Sequence, residues 1–269
     1  MLNIKKLTLS CALLIGLGAG SAQADDCGEV SLTEMDWGSA IIVTQVAKFL
    51  LEQGYGCSVT VVPSASVPAL ASVSETGEPD IITELWTNGA PAYVPLLEAG
   101  KINELTRVLS DGGLEGLFIP VYLAEAHPEL TTIEGVLANP DLVGNRMHNC
   151  PVGWNCQTVA TNVAKGGGFE AAGIEDFVHG SGETLTASIG AAYASKEPWF
   201  GYYWTPSLVM GKYPMVQVDL GPHDASKQAC NSDKDCANPT MQSWPSSIVT
   251  TVVTSEFEAS HPAETDLML

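Results

Sequence analysis

The segment Cys150-Pro151-Val152-Gly153-Trp154-Asn155-Cys156 closes a short loop between two cysteines and carries an indole near its tip. A second aromatic cluster, Phe200-Gly201-Tyr202-Tyr203-Trp204-Thr205-Pro206, ends in Trp-Thr-Pro, and Trp86-Thr87 follows the run Asp80-Ile81-Ile82-Thr83-Glu84-Leu85. Indole faces attract cations, quaternary ammonium groups above all, so tryptophans placed this way point to a cage for an organic cation. One desolvated ring contact is worth about 2 kcal/mol, whereas micromolar binding needs about 8 kcal/mol. The chemistry therefore requires three or four rings and a polar anchor. Tryptophan is also a common core residue, and Trp199 and Trp244 read as structural on that ground. Tyr122, Tyr202 and Tyr203 read equally as lesser walls or as core.

The elements that must position these rings alternate β-type runs with helical ones, which predicts an α/β fold with mainly parallel strands. Strands are expected over 29–35, 58–62, 80–85, 116–123, 174–178, 198–204 and 215–220. Helices are expected over 39–53, capped by Ser39 with Ile42, Val46, Phe49 and Leu50 on one face, and over 68–74, 91–99, 155–165 and 183–194. Two strands deliver a tryptophan at their carboxyl ends, where open α/β sheets bind ligands. In the strand over 198–204, alternation sets Phe200, Tyr202 and Trp204 against Trp199 and Tyr203. The first set faces the cleft and the second the core, or the reverse. The recurrence of this unit in both halves predicts two similar lobes facing a cleft.

Residues 1–24 read as an export signal: Lys5 and Lys6, an apolar stretch over 7–20, and Ala22-Gln23-Ala24 as the cleavage site. Without it, 245 residues remain, with six cysteines and a net charge of −22. That charge opposes nucleic-acid binding and otherwise serves solubility. An even cysteine count in an exported chain favours disulfides. Spacing suggests Cys150–Cys156 and Cys230–Cys236, and elimination leaves Cys27–Cys57, whose members precede the first two strands. Inside the 230–236 loop, Asp233 and Asp235 are candidate ligands of a structural calcium ion, weighed against a plain solvated turn because calcium needs six to eight oxygens. No other cofactor is expected. No nucleophile–base constellation is visible; His179-Gly180-Ser181-Gly182-Glu183 reads as a helix cap at Ser181.

Together, the Cys-x-x-Gly-Trp-x-Cys loop, the Tyr-Tyr-Trp-Thr-Pro strand and the Trp-Thr after a buried strand resemble the periplasmic glycine betaine/choline-binding proteins of ABC transporters. The resemblance spans roughly 30–262. It implies a two-lobed periplasmic binding protein fold of type II, with lobe 1 from 25–115 plus 222–269, lobe 2 from 116–221, and the ligand between them. It implies a monomer in the periplasm that hands a trimethylammonium osmolyte (glycine betaine, choline or trimethylamine N-oxide) to an inner-membrane permease. Trp37, Trp86, Trp154 and Trp204 match cage positions, with Tyr202 a further wall. The backbone amides of Asn155 and Cys156, at a helix start, would hold the ligand's oxygen end. Ala90 stands where betaine binders carry a carboxylate-gripping histidine, which shifts the expectation towards choline or trimethylamine N-oxide. Glu84 and Asp36 would complement a cation lacking its own carboxylate. Relatives continue beyond the segment matching 246–261, so the resemblance also implies C-terminal truncation of lobe 1. The rival from another class is a secreted acidic hydrolase on the same scaffold.

Overall fold

A computed structural model describes residues 27–268, so the expected signal over 1–24 lies outside the described residues. Among the described residues, ten strands form two five-stranded sheets. The first sheet runs in the order β2 (Ser58–Ser64), β1 (Glu29–Met35), β3 (Ile81–Trp86), β10 (Val249–Thr254) and β4 (Ile102–Arg107). The second runs β7 (Glu175–Val178), β6 (Arg146–Asn149), β8 (Gly201–Thr205), β5 (Leu114–Pro120) and β9 (Met215–Gln217).

Both sheets are mixed rather than mainly parallel. β1 pairs in parallel with β2 and β3, and β6 with β7 and β8. β10 is antiparallel to β3 and β4, and β5 to β8 and β9. The reason is connectivity. β5 is the first strand after the chain leaves the first sheet and β10 the first after it returns, so each enters its sheet from the side of the other lobe. The two crossing segments are paired to each other: Gly113 and Ser247 exchange backbone hydrogen bonds of 2.8 Å in both directions.

β3 is buried along its whole length, with Thr83 and Glu84 the polar members of an otherwise apolar run. The Thr83 hydroxyl meets Thr44 Oγ1 at 2.7 Å and its carbonyl accepts from Thr251 at 2.8 Å, so Thr83 is satisfied internally. Trp199 stacks on His148 and donates to Ser188, in the structural role expected of it. Phe200 packs on Phe169 inside the second lobe rather than facing the cleft. The helix Gly38–Leu50 differs from expectation: Trp37 rather than Ser39 precedes it, and it turns Ile42, Val46 and Phe49 outwards, burying Ala40 and Thr44 against the sheet. A face of small residues lets the helix lie close to β1 and β3. Ser181 does cap Gly182–Ser195, in a reciprocal capping box with Thr184.

The three disulfides pair as expected, Cys150–Cys156 and Cys230–Cys236 from their spacing and Cys27–Cys57 by elimination. No helix among the described residues is long and apolar enough to cross a membrane.

Candidate ligand-binding site

The first lobe contributes two indoles held by one carboxylate. Trp37 follows β1 and begins the helix Gly38–Leu50, while Trp86 ends β3. Residues i and i+2 of a strand share a face, so Glu84 lies beside Trp86. Glu84 Oε1 accepts from Trp37 Nε1 at 2.6 Å, from Trp86 Nε1 at 3.0 Å and from Ser39 Oγ at 2.9 Å.

The second lobe contributes Trp154 and Trp204. The disulfide Cys150–Cys156, with its Cα atoms 6.1 Å apart, draws the loop tight. Gly153 turns it with φ +93°, a conformation that favours glycine, and Trp154 follows as the residue that opens the helix Asn155–Gly166. Trp204 lies in β8, stacked on Tyr203 at 4.3 Å and 11°. The indoles meet edge to face in series, Trp37–Trp154 at 5.0 Å and Trp204–Trp86 at 6.1 Å between lobes and Trp154–Trp204 at 5.6 Å within the second. These are the separations aromatic pairs prefer.

The rings line a cavity of about 30 Å³, small because the indoles pack against one another. Its polar lining comes from Ser66, Asn88, Glu115, Asn155 and Tyr202. Glu115 accepts from the Tyr202 hydroxyl at 2.6 Å and from Asn88 Nδ2 at 3.0 Å. Burial pushes the Glu115 carboxyl above its ordinary range, while those two hydrogen bonds pull it down. Burial, and then the Glu115 charge, raise the Tyr202 phenol well above its usual value, so it remains a donor. No lysine, arginine or histidine is among the lining residues.

Several contacts bridge the lobes around this pocket. Asp36 Oδ1 accepts from Trp154 Nε1 at 2.5 Å, and Oδ2 from the Gly182 amide at 3.1 Å. Asn155 Nδ2 donates to the Trp86 carbonyl at 2.8 Å, leaving its buried Oδ1 without a protein partner. The Val67 amide donates to the Gly153 carbonyl at 3.0 Å.

Of the residues singled out in the sequence, Trp37, Trp86, Trp154, Asn155, Cys156, Trp204 and Tyr202 all line this one pocket. The amides of Asn155 and Cys156 are the first two of their helix, which has no carbonyl to offer them. Glu84 stands behind two rings rather than in the lining. Tyr203 backs Trp204, and Tyr122 is elsewhere, packed on Tyr193. Asp233 and Asp235 are engaged with their own turn: Asp233 Oδ1 accepts the Asp235 amide and Asp235 pairs with Lys234. Among the described residues, no third histidine, cysteine or carboxylate group gathers with them. Sequence reasoning missed Ser66, Asn88 and Glu115. A signal for Glu115 existed, since it is the acid in an otherwise apolar segment, and β-pairing sets it opposite Trp204.

Residues 28–268 match the family described as the substrate binding domain of ABC-type glycine betaine transport system. Among solved structures, the glycine/betaine/L-proline-binding protein (ProX) from Borrelia burgdorferi superposes with TM-score 0.68 at 18% identity, covering 87% of this chain and 77% of that one. An ABC-transporter choline binding protein in complex with choline gives 0.67 at 17% identity, covering 90% and 77%. The lactococcal OpuAC in its closed-liganded conformation with glycine betaine gives 0.66 at 16%, covering 90% and 83%. No curated protein sequence matches the chain. These likenesses establish the two-lobed fold, and the family match goes further: the chain belongs to the substrate-binding domains of ABC-type glycine betaine transport systems.

Proposed function

We propose that this protein captures a small trimethylammonium compound in its tryptophan-lined cleft and delivers it to the permease of an ABC importer. The observation that carries the reading is one pocket in which four indoles from two lobes converge and which has an acidic but no basic lining residue. Ring faces take the cationic head. Glu115 on one side can accept from a hydroxyl at the ligand's far end, and the first amides of Asn155–Gly166 on the other can donate to an oxygen there.

The buried Glu115 carboxyl disfavours a ligand that brings a carboxylate of its own, because like charges in a low-dielectric site repel strongly. Ala90, a small buried residue, offers such a carboxylate no grip. Choline or trimethylamine N-oxide therefore fits better than glycine betaine. Three disulfides suit an oxidising compartment, and with the signal-like segment over 1–24 they support a receptor in the periplasm. The hydrolase alternative is not favoured by the family.

Calorimetry with choline, trimethylamine N-oxide, carnitine and glycine betaine tests the proposal. Micromolar or tighter binding of choline or trimethylamine N-oxide, with glycine betaine weaker, is expected. Absence of heat with all four overturns the cage; glycine betaine as the tightest ligand overturns the role given to Glu115.

A further inference from the structure

Glu84 is a carboxyl group 2% exposed in the middle of the first sheet, and none of the salt bridges among the described residues includes it. A buried charge without a paired cation is costly, and an amide in its place could accept the same hydrogen bonds. The bonds it makes are uneven. Oε1 takes both indole N–H groups and the Ser39 hydroxyl, while Oε2 is buried with no protein partner. Packing alone does not account for a carboxylate here. The two rings it holds, however, line the pocket, and each presents its N–H edge to Glu84.

A negative oxygen at the N–H edge polarises an indole, moving electron density on to the ring where a cation is received. The same oxygen also fixes ring orientation. We infer that Glu84 is a positioning and charge-selecting residue of the pocket. It never touches the ligand, and acts through Trp37 and Trp86 to make the site discriminate a positively charged trimethylammonium head from an uncharged group of the same shape. The bound head then supplies the positive charge that the fold omits beside Glu84. This rests on the trimethylammonium reading above and adds to it the means of selection.

The test pairs each ligand with its carbon isostere: choline with 3,3-dimethyl-1-butanol, and trimethylamine N-oxide with tert-butanol. Glu84→Gln keeps an acceptor for both indoles and removes the charge. In calorimetry on the mature protein, Glu84→Gln should bind the ammonium ligand about ten-fold more weakly while its affinity for the isostere stays level. Unchanged affinity for the ammonium ligand overturns the inference, and so does an equal loss for both members of a pair, which is what a purely structural role produces. Should Glu84→Gln not fold, Trp37→Phe and Trp86→Phe each retain a ring face but sever one link to the carboxylate. Each should then lose more affinity for the ammonium ligand than for the isostere, and equal losses overturn the inference. A parent protein that binds no ammonium ligand overturns the proposed function and this inference together. A binding parent with an indifferent Glu84→Gln overturns this inference alone.

Discussion

The two halves of the tryptophan pocket are secured differently. Trp37 and Trp86 donate to a carboxylate of their own sheet, so the first lobe sets its rings without help. Trp154 donates to Asp36 of the opposite lobe, and Trp204 is held by stacking on Tyr203. The first half is set within its own lobe, and the second takes a partner from across the cleft. In the proposed receptor, a preorganised wall would reduce the ordering cost of binding, and a wall completed across the cleft would make ligand capture and lobe closure one event.

The largest effect expected is from Trp154→Ala, which removes a ring of the pocket and the inter-lobe hydrogen bond together. A loss of at least about 2 kcal/mol, or thirty-fold in Kd, should appear in calorimetry. Parent-like affinity would detach the loop from the pocket and dissolve the comparison. Next comes Gly182→Ala. A Cβ there would lie 2.4 Å from the Asp36 carbonyl oxygen and 2.8 Å from the Trp154 ring. Helix propensity favours alanine at this position, so thermal stability without ligand should hold or rise while affinity falls roughly ten-fold or more. A variant that binds normally would show that the lobes need not approach this closely.

Asp36→Asn is a milder probe, since the amide oxygen still accepts one hydrogen bond. About five-fold weaker binding is expected, the size of one charge-assisted bond reduced to a neutral one, seen mainly as faster release in stopped-flow fluorescence. Loss through slower association would instead place Asp36 in ligand encounter. The smallest effect is in pH. Glu115 has a raised pKa without ligand, and a bound cation favours its charged form, so binding a cation releases protons. Affinity should be highest at neutral pH and fall, about three-fold or more, as pH drops through the raised value lying above 4.5. A flat profile between pH 8 and 5 would remove Glu115 from contact with the ligand's charge.

Much of this was legible in the chain. The strands ending at Trp86 and around Trp204, the helix start after Trp154 and the disulfides all carry local signals, because turn residues, caps and spacing act over short distances. What escaped depends on long-range pairing. Val249–Thr254 is an all-buried run of Val and Thr lacking alternation, and only its place between β3 and β4 makes it a central strand. Glu115 was lost by one residue, because the expected strand began at Gly116 whereas pairing with Thr205 extends it to Leu114. Glu84 was visible as an acid beside Trp86, but its reach to Trp37 depends on how the helix Gly38–Leu50 lies on the sheet. That helix also shows how pattern misleads: its larger apolar residues are not the buried ones.

The paired crossing segments have a mechanical consequence. Two strands hydrogen-bonded at Gly113 and Ser247 form a flexure, compliant to bending across the ribbon and stiff to shear along it. In the proposed receptor, such a ribbon would steer the lobes along a single arc, so that the same indoles meet the same partners each time. The flexure also abuts the pocket: a Cβ on Gly113 would lie 2.2 Å from the Trp86 ring, and Asn88 bonds both the Pro245 carbonyl and Glu115. In the proposed receptor, a ligand seated against Trp86 would therefore press on the pivot itself, so the occupant of the cleft and the angle between the lobes would be read at one place.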